Sequence, residues 1–246
     1  MELKVLGSSS SGNCYILDGE KEALIIEAGI HFPAVKKALD FNLRKVVGCL
    51  ITHTHGDHSK YVKSIVDSGI YVLALEDVLK ARGVEGRQAI AIEEGKGYKL
   101  GGFKILPFPA HHDVPCVGYM IEHPICGKIL FLTDSCECDV RFTGLNHILI
   151  ECNYSEKNLV EAINDGRTLA SQRERLHQSH MDLEMCKEIL RSTDLSGVQD
   201  IVLIHLSDNN SDEEYFVSEI ERLTGKAVYA AKKGLTIGID RVCCGI

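Results

Sequence analysis

The sequence predicts an α/β fold, α+β in the broader sense, in which packed sheets are flanked by helices. Three observations predict it. Short runs rich in Val, Ile and Leu recur along the chain and are bounded by Gly, Pro or polar residues, as strands are. Stretches with apolar residues at helical spacing alternate with them, mostly in the second half. Finally, the 246 residues are 45% hydrophobic and 25% charged, a balance that excludes general disorder and supplies a large core without disulfide staples. The pattern suits sheets sandwiched by helices. It does not separate that arrangement from a doubly wound single sheet.

In chain order, the strand-like runs are 3–6, 15–17, 23–26, 46–51, 70–73, 103–106, 117–121, 129–132, 148–150, 201–204 and 227–229. Helix-like stretches fall at 32–39, 59–68, 76–81, 156–163, 168–177, 183–191 and 212–223. In the last of these, Phe216, Val217, Ile220 and Leu223 repeat at helical spacing, and Ser211 is placed to cap it ahead of Glu214. There is no internal repeat or low-complexity tract, and four of the five prolines lie between 107 and 124, so one domain spanning 1–246 is expected.

The ten cysteines follow no repeating spacing, and several sit inside apolar runs, as Cys49 does. They read as small buried hydrophobes in a reducing compartment. Cys136 and Cys138 are too close for ordinary zinc spacing. The N-terminus has no basic region followed by a long apolar stretch, and no run approaches the length of a membrane span, so a cytoplasmic chain with no membrane partner is expected. The formal net charge of −8 argues against nucleic acid when taken alone. Two bound divalent ions would add four positive charges at the place where a substrate sits.

The strongest chemical signal is Ile51-Thr52-His53-Thr54-His55-Gly56-Asp57-His58. Imidazole and carboxylate are good ligands for borderline metals. The cluster leaves the end of a buried strand-like run, where α/β proteins place their sites. Three other runs end the same way: in Asp134, in His205, and in the pair His111 and His112. Each alone reads as a cap or a core histidine. If the strands are neighbours, the side chains converge on one rim. Adjacent residues in extended chain point to opposite sides, so only one of His111 and His112 can join.

These residues closely resemble the metallo-β-lactamase superfamily, whose signature is His-x-His-x-Asp-His followed by a later His, Asp and His. The resemblance implies a four-layer αβ/βα sandwich, the metallo-β-lactamase fold, and two divalent metal ions, Zn2+ or Mn2+, with Fe2+ a third candidate. It implies that His53, His55 and His112 hold one ion, that Asp57, His58 and His205 hold the other, and that Asp134 bridges them. Four further segments narrow it to the YycJ/WalJ branch, over almost the whole chain. They are the run from Leu6 to Tyr15, His112-Asp113 with Gly118-Tyr119, Ile150-Glu151-Cys152-Asn153-Tyr154, and His205-Leu206-Ser207-Asp208-Asn209-Asn210. That branch implies a metal-dependent exonuclease or phosphodiesterase, with nucleic acid as partner and DNA favoured over RNA. The chain departs from the usual pattern at Ser179-His180-Met181-Asp182-Leu183, at Tyr61 and at Glu27.

Two metals roughly 3.5–4 Å apart lower the pKa of a bridging water and clamp attacking and leaving oxygens. Asp57 is expected to orient the resulting hydroxide. His180, from its place in the branch pattern, is the candidate proton donor to the leaving oxygen. Residues 8–13, including Ser8, Ser9 and Ser10, could cradle a phosphate or merely close a strand pair. Asn209 is a further substrate-binding candidate. The segment 167–180 carries three arginines, two histidines and one acid. Leu169, Leu176 and Ala170 would face the core, leaving Arg173 and Arg175 to guide a nucleic-acid backbone. A solvated helix face is the other reading. His31, His123, His147 and His177 read as surface or satisfied core residues. Rival functions are a thioester or lactone hydrolase of the glyoxalase II type, and a non-catalytic metal-binding regulator. An oxygen-reducing di-iron protein fits less well, because His55 stands where those relatives carry Glu.

Overall fold

The computed structural model describes residues 1–241; Cys243 and Cys244 lie outside the described residues. Strand β1 (Glu2–Gly7) pairs antiparallel with β2 (Cys14–Asp18), and β2 with β3 (Ala23–Ile26). After α1 (Phe32–Ala38) the chain enters β4 (Val46–Leu50), parallel to β3. Two short helices, α2 (Gly56–Ser59) and α3 (Val62–Val66), lead to β5 (Val72–Ala74), and α4 (Glu76–Ala81) leads to β6 (Ala89–Ala91). The second sheet opens with an antiparallel meander, β7 (Tyr98–Leu100), β8 (Phe103–Ala110), β9 (Cys116–His123) and β10 (Gly127–Leu132). Then β11 (His147–Glu151) joins β10 in parallel. Helices α5 (Glu156–Asn164), α6 (Arg173–Ser179) and α7 (Leu183–Ser192) precede β12 (Asp200–Ile204), and α8 (Glu213–Thr224) precedes β13 (Ala227–Ala230). Strand β14 (Thr236–Gly238) returns to the first sheet beside β1.

The result is two seven-stranded sheets, ordered β14-β1-β2-β3-β4-β5-β6 and β13-β12-β11-β10-β9-β8-β7. The doubly wound single sheet is thereby excluded. Side-chain alternation builds three cores from the same strands. Tyr15 and Leu17 face Phe131 and Tyr119 between the sheets, while their neighbours Cys14 and Ile16 pack outward with Phe32 and Val35 of α1. In the second sheet Phe131 faces inward, and Leu130 and Leu132 face outward onto Leu183 and Cys186 of α7 and Phe216 of α8. Strands buried on both faces must be apolar throughout, which is why they read as unbroken Val/Ile/Leu runs. The layers are helix, sheet, sheet, helix.

The eleven expected strand runs all coincide with strands of the fold. The three that periodicity missed, β6, β7 and β14, are each three residues long, and each is the edge of its sheet or next to a sheet's end. The expected helix over 59–68 is broken at Lys60 and Tyr61 into α2 and α3. The cap of α8 is Asp212, whose carboxylate accepts from the Tyr215 amide at 3.0 Å; Ser211 instead donates to the Ser207 carbonyl. The expected helix over 168–177 begins as a 3-10 turn, and α6 starts only at Arg173. Leu169 is 66% exposed and Ala170 is exposed, so neither faces the core. Thr168 is buried in their place, because its hydroxyl donates to Asn210 Oδ1 at 2.8 Å.

Candidate metal centre

Strands β4, β8, β10, β11 and β12 all finish at one rim of the sandwich. His53 follows β4, His112 follows β8, Asp134 follows β10, Glu151 ends β11, and His205 follows β12. Asp57 and His58 are carried by α2, whose approach is pinned from both sides. The Arg82 guanidinium donates to the Thr54 carbonyl and to Ser59 Oγ, and the Asp57 carbonyl accepts from the Asn13 amide at 2.8 Å. Gly29 permits this close passage: a Cβ there would sit 1.6 Å from the Asp57 carbonyl oxygen. Three non-glycine residues at the rim have left-handed backbone, Glu27 (φ 68°), Asp134 (φ 49°) and His205 (φ 54°). Such conformations cost on the order of 1–3 kcal/mol each and persist where the surroundings hold them.

The fold brings together His53, His55 and His112; Asp57, His58 and His205; His53, His58 and Asp134; and Asp134, Glu151, His180 and His205, with the donor atoms of each group within 4.8 Å of one another. His58 Nε2 lies 3.1 Å from Asp134 Oδ2 and 3.2 Å from Asp57 Oδ2. His205 Nε2 lies 3.4 Å from Asp57 Oδ2, and His55 Nδ1 lies 3.2 Å from His112 Nε2. All seven residues expected as ligands are in this cluster. Of the histidine pair, His112 faces inward, while His111 turns out to Asp139 at 2.9 Å. Extended backbone puts neighbours on opposite sides.

The donor chemistry suits divalent ions. Thr52 donates its hydroxyl to Glu27 Oε1 at 2.6 Å, so its oxygen accepts from His53 Nδ1 at 2.9 Å. That tautomer leaves the His53 Nε2 lone pair in the cluster, buried and without a hydrogen-bond partner among the described residues. His112 likewise donates Nδ1–H to the Ser179 carbonyl at 2.8 Å and presents Nε2. Carbonyl or carboxylate partners on the far nitrogen are what orient metal-binding imidazoles. His58 Nδ1 lies 3.3 Å from Glu27 Oε1, so the glutamate found where Asp is usual still reaches the ring.

Electrostatics agree. Burial alone would lower the His58 pKa, but Asp134 and Glu27 outweigh it and raise it well above the ordinary value. Burial would raise Asp134 and Asp57; the surrounding imidazoles outweigh it, His205 and His58 foremost, and hold both carboxyls below their usual range. His53 is shifted down, first by burial and then by His58. Such opposed shifts arise where imidazoles and carboxylates crowd together out of water, the arrangement expected of a functional site.

His180, the C-cap of α6, joins the cluster through Glu151. Its Nδ1 lies 2.7 Å from Glu151 Oε1 and 3.4 Å from Asp134 Oδ1. The other Glu151 oxygen accepts from the Ser135 amide at 3.0 Å and the Met181 amide at 3.3 Å. Burial would depress His180, yet Glu151 and Asp134 raise it to about 9. Glu151 had the same signal as Asp134, an acid at the end of an apolar run, and was given no role. Asp113, 3.1 Å from His112 Nε2 and 3.4 Å from His55 Nε2, also went unassigned. Asn13, expected only as part of the 8–13 turn, donates its amide nitrogen to Asp57 Oδ2 at 3.3 Å and sits 2.9 Å from His58 Nε2.

The residues expected to bind substrate take several different places. Ser8 is buried: its hydroxyl lies 2.7 Å from the Tyr15 hydroxyl and accepts from the His205 amide at 2.8 Å, so it fixes His205. Ser9 closes a turn, its carbonyl accepting from the Gly12 amide, and Ser10 is exposed on that turn. Arg173 is paired with Glu156, and Arg175 lies 3.5 Å from Asp113. Asn209 donates to the Arg167 carbonyl at 3.4 Å. Of the histidines read as ordinary, His123 pairs with Glu22 and His147 with Asp200, His177 stacks on Tyr154 beside Glu156, and His31 packs on Tyr61.

The family model for the β-lactamase superfamily domain matches residues 25–206, well over half of the chain. The chain belongs to that superfamily, with the metallo-β-lactamase fold and its hydrolytic class. Among curated relatives, the exodeoxyribonuclease WalJ of Streptococcus pneumoniae is 26% identical across 96% of this chain and 90% of its own length. The exodeoxyribonuclease YycJ of Bacillus anthracis is 25% identical across 87% of this chain and 85% of its own length. Among solved structures, the metallo-β-lactamase fold protein YhfI from Bacillus subtilis superposes with a TM-score of 0.72 at 15% identity, covering 96% of this chain and 99% of that one. No helix among the described residues is long and apolar enough to cross a membrane.

Proposed function

We propose that this chain is a binuclear metal-dependent phosphodiesterase that degrades nucleic acid from an end, with DNA favoured over RNA. The observation that carries the reading is the convergence of six imidazoles and three carboxylates on one rim, with the buried His53 Nε2 left for a cation. The relatives named exodeoxyribonucleases support the substrate class. His53, His55 and His112 would hold one ion, Asp57, His58 and His205 the other, and Asp134 would bridge them. Zn2+, Mn2+ and Fe2+ all suit this ligand set.

Such ions polarise the phosphoryl group, activate water and neutralise charge in the transition state. Asp57 would orient the attacking water rather than take its proton, since His205 and His58 hold its carboxyl below the usual range. His180 supplies the proton to the departing oxygen. Its Nδ1 is held by Glu151 at 2.7 Å, which leaves Nε2 to meet substrate. The two amides on the second Glu151 oxygen fix the carboxylate, so the ring is aimed rather than free to rotate.

The test is metal analysis of the purified protein, followed by incubation with end-labelled DNA and RNA, bis(p-nitrophenyl) phosphate, a thioester and a lactone. Close to two ions per chain and stepwise shortening of DNA are expected. Efficient thioester or lactone turnover with the phosphodiesters untouched would point to a glyoxalase II type enzyme. Bound metal with no turnover of any substrate would point to a regulator.

A further inference from the structure

A cleft of about 1040 Å3 lies against the metal centre. The two share a thin wall. Ser8 lines the cleft and holds the His205 amide through its hydroxyl. Leu206, the next residue, also lines it, as does Gly12, whose neighbour Asn13 binds Asp57. The cleft therefore borders the half of the centre built from Asp57, His58 and His205.

Its lining is unusual for a chain with a net charge of −8. Lys37, Lys232 and Lys233 face two acids, Asp208 and Glu213. Lys232 pairs with Glu213 at 3.1 Å. Lys37 and Lys233 are exposed, and no carboxylate lies within ion-pair distance of either among the described residues. Half-buried Leu6, Ile30 and Leu206 add apolar surface. Cationic groups along the edge of such a cleft suit the phosphates of a strand running through it. The arginine segment offers less. Arg167 pairs with Asp165 at 3.0 Å, Arg173 with Glu156, and Arg175 lies 3.5 Å from Asp113. A guanidinium already facing a carboxylate gains less from a phosphate than a free ammonium does.

We infer that this cleft, and not α6, holds the nucleic-acid strand that leads over this wall to the metal centre, with Lys37 and Lys233 on its backbone phosphates. The inference rests on the nuclease reading above.

The experiment compares the parent with the double variants Lys37→Ala/Lys233→Ala and Arg173→Ala/Arg175→Ala. Binding of a fluorescein-labelled oligothymidylate is followed by anisotropy across a salt series, and hydrolysis is measured on end-labelled DNA and on bis(p-nitrophenyl) phosphate. The lysine variant should raise KM for DNA at least about tenfold and reduce the salt slope by about 1.4, roughly 0.7 for each lost contact to a single strand. Its hydrolysis of the small diester should stay within about twofold of the parent. The arginine variant should match the parent. If the lysine variant binds and cleaves DNA like the parent, or the arginine variant carries the loss, the cleft assignment is overturned and the nuclease reading stands. If the parent neither binds nor cleaves polynucleotide, both are overturned.

Discussion

Histidines and carboxylates occur at both ends of this sandwich, in different proportions. At the end where β10, β11 and β12 begin, each ring has one acid. His123 Nε2 sits 2.9 Å from Glu22, and His147 Nδ1 sits 2.8 Å from Asp200. At the opposite rim a single buried ring, His58, has three carboxylates within 3.3 Å: Glu27, Asp57 and Asp134. The backbones of the two sets of paired residues also differ. Glu27, Asp134 and His205 have positive φ, and none of Glu22, His123, His147 and Asp200 does. A one-to-one pair is a closed unit that helps hold the fold. Three carboxylates around one buried ring carry more negative charge than that imidazolium alone neutralises. Residue type does not distinguish the two sets, but the number of acids around a ring does.

The largest effect should come from Asp134→Ala. Even outer partners of metal ligands are worth roughly 10–100-fold, so loss of a carboxylate in the bridging role proposed above should cut hydrolysis by more than about 100-fold. Circular dichroism should stay native and metal content should fall. Near-normal activity in the folded variant would end the bridging role. A smaller effect, of another kind, is expected at the opposite end. His147→Ala leaves the buried Asp200 carboxylate without its imidazole and should lower unfolding free energy by about 1–3 kcal/mol in urea titrations. Hydrolysis per folded molecule and metal content should be unchanged. Loss of metal in that variant would show that the two ends are not independent.

The smallest effect concerns pH. Burial pushes Glu22 up, but the Gly102 amide and His123 outweigh it and leave the carboxyl below its usual value. A depressed folded pKa adds stability above the unfolded value of about 4.3 and loses it as pH falls through the folded value. Glu22→Gln should therefore flatten the decline in urea midpoint below about pH 4.5. Parallel pH curves for parent and variant would sink this contribution.

Much of the candidate site was legible because its residues are punctuated by strands. His53, Asp134 and His205 each follow an unbroken apolar run, and such runs are what a strand buried on both faces requires. Glu151 carried the same mark, yet an acid at the end of a run reads equally as a solvated terminus until its neighbours are known. The role of Ser8 was not legible. A serine-rich turn offers hydroxyls to a phosphate or to the protein, and only the approach of His205 from across the molecule makes it a support. Leu169 was misread because the helix it was assigned to begins four residues later, at Arg173, after a turn fixed by the long-range Thr168–Asn210 bond.

By itself the sequence determined the strand periods, the ligand types and the local geometry of residues 53–58, because these depend on chain direction and nearest neighbours. It also carried the charge imbalance, since net charge is a sum over residues. The tertiary structure decided which strands share a rim, which of the arginines are already paired, and which lysines are left free beside the centre. Those outcomes depend on partners far apart in the chain, such as Arg173 with Glu156 and Ser8 with His205. No local pattern encodes a distance between residues that folding alone brings together.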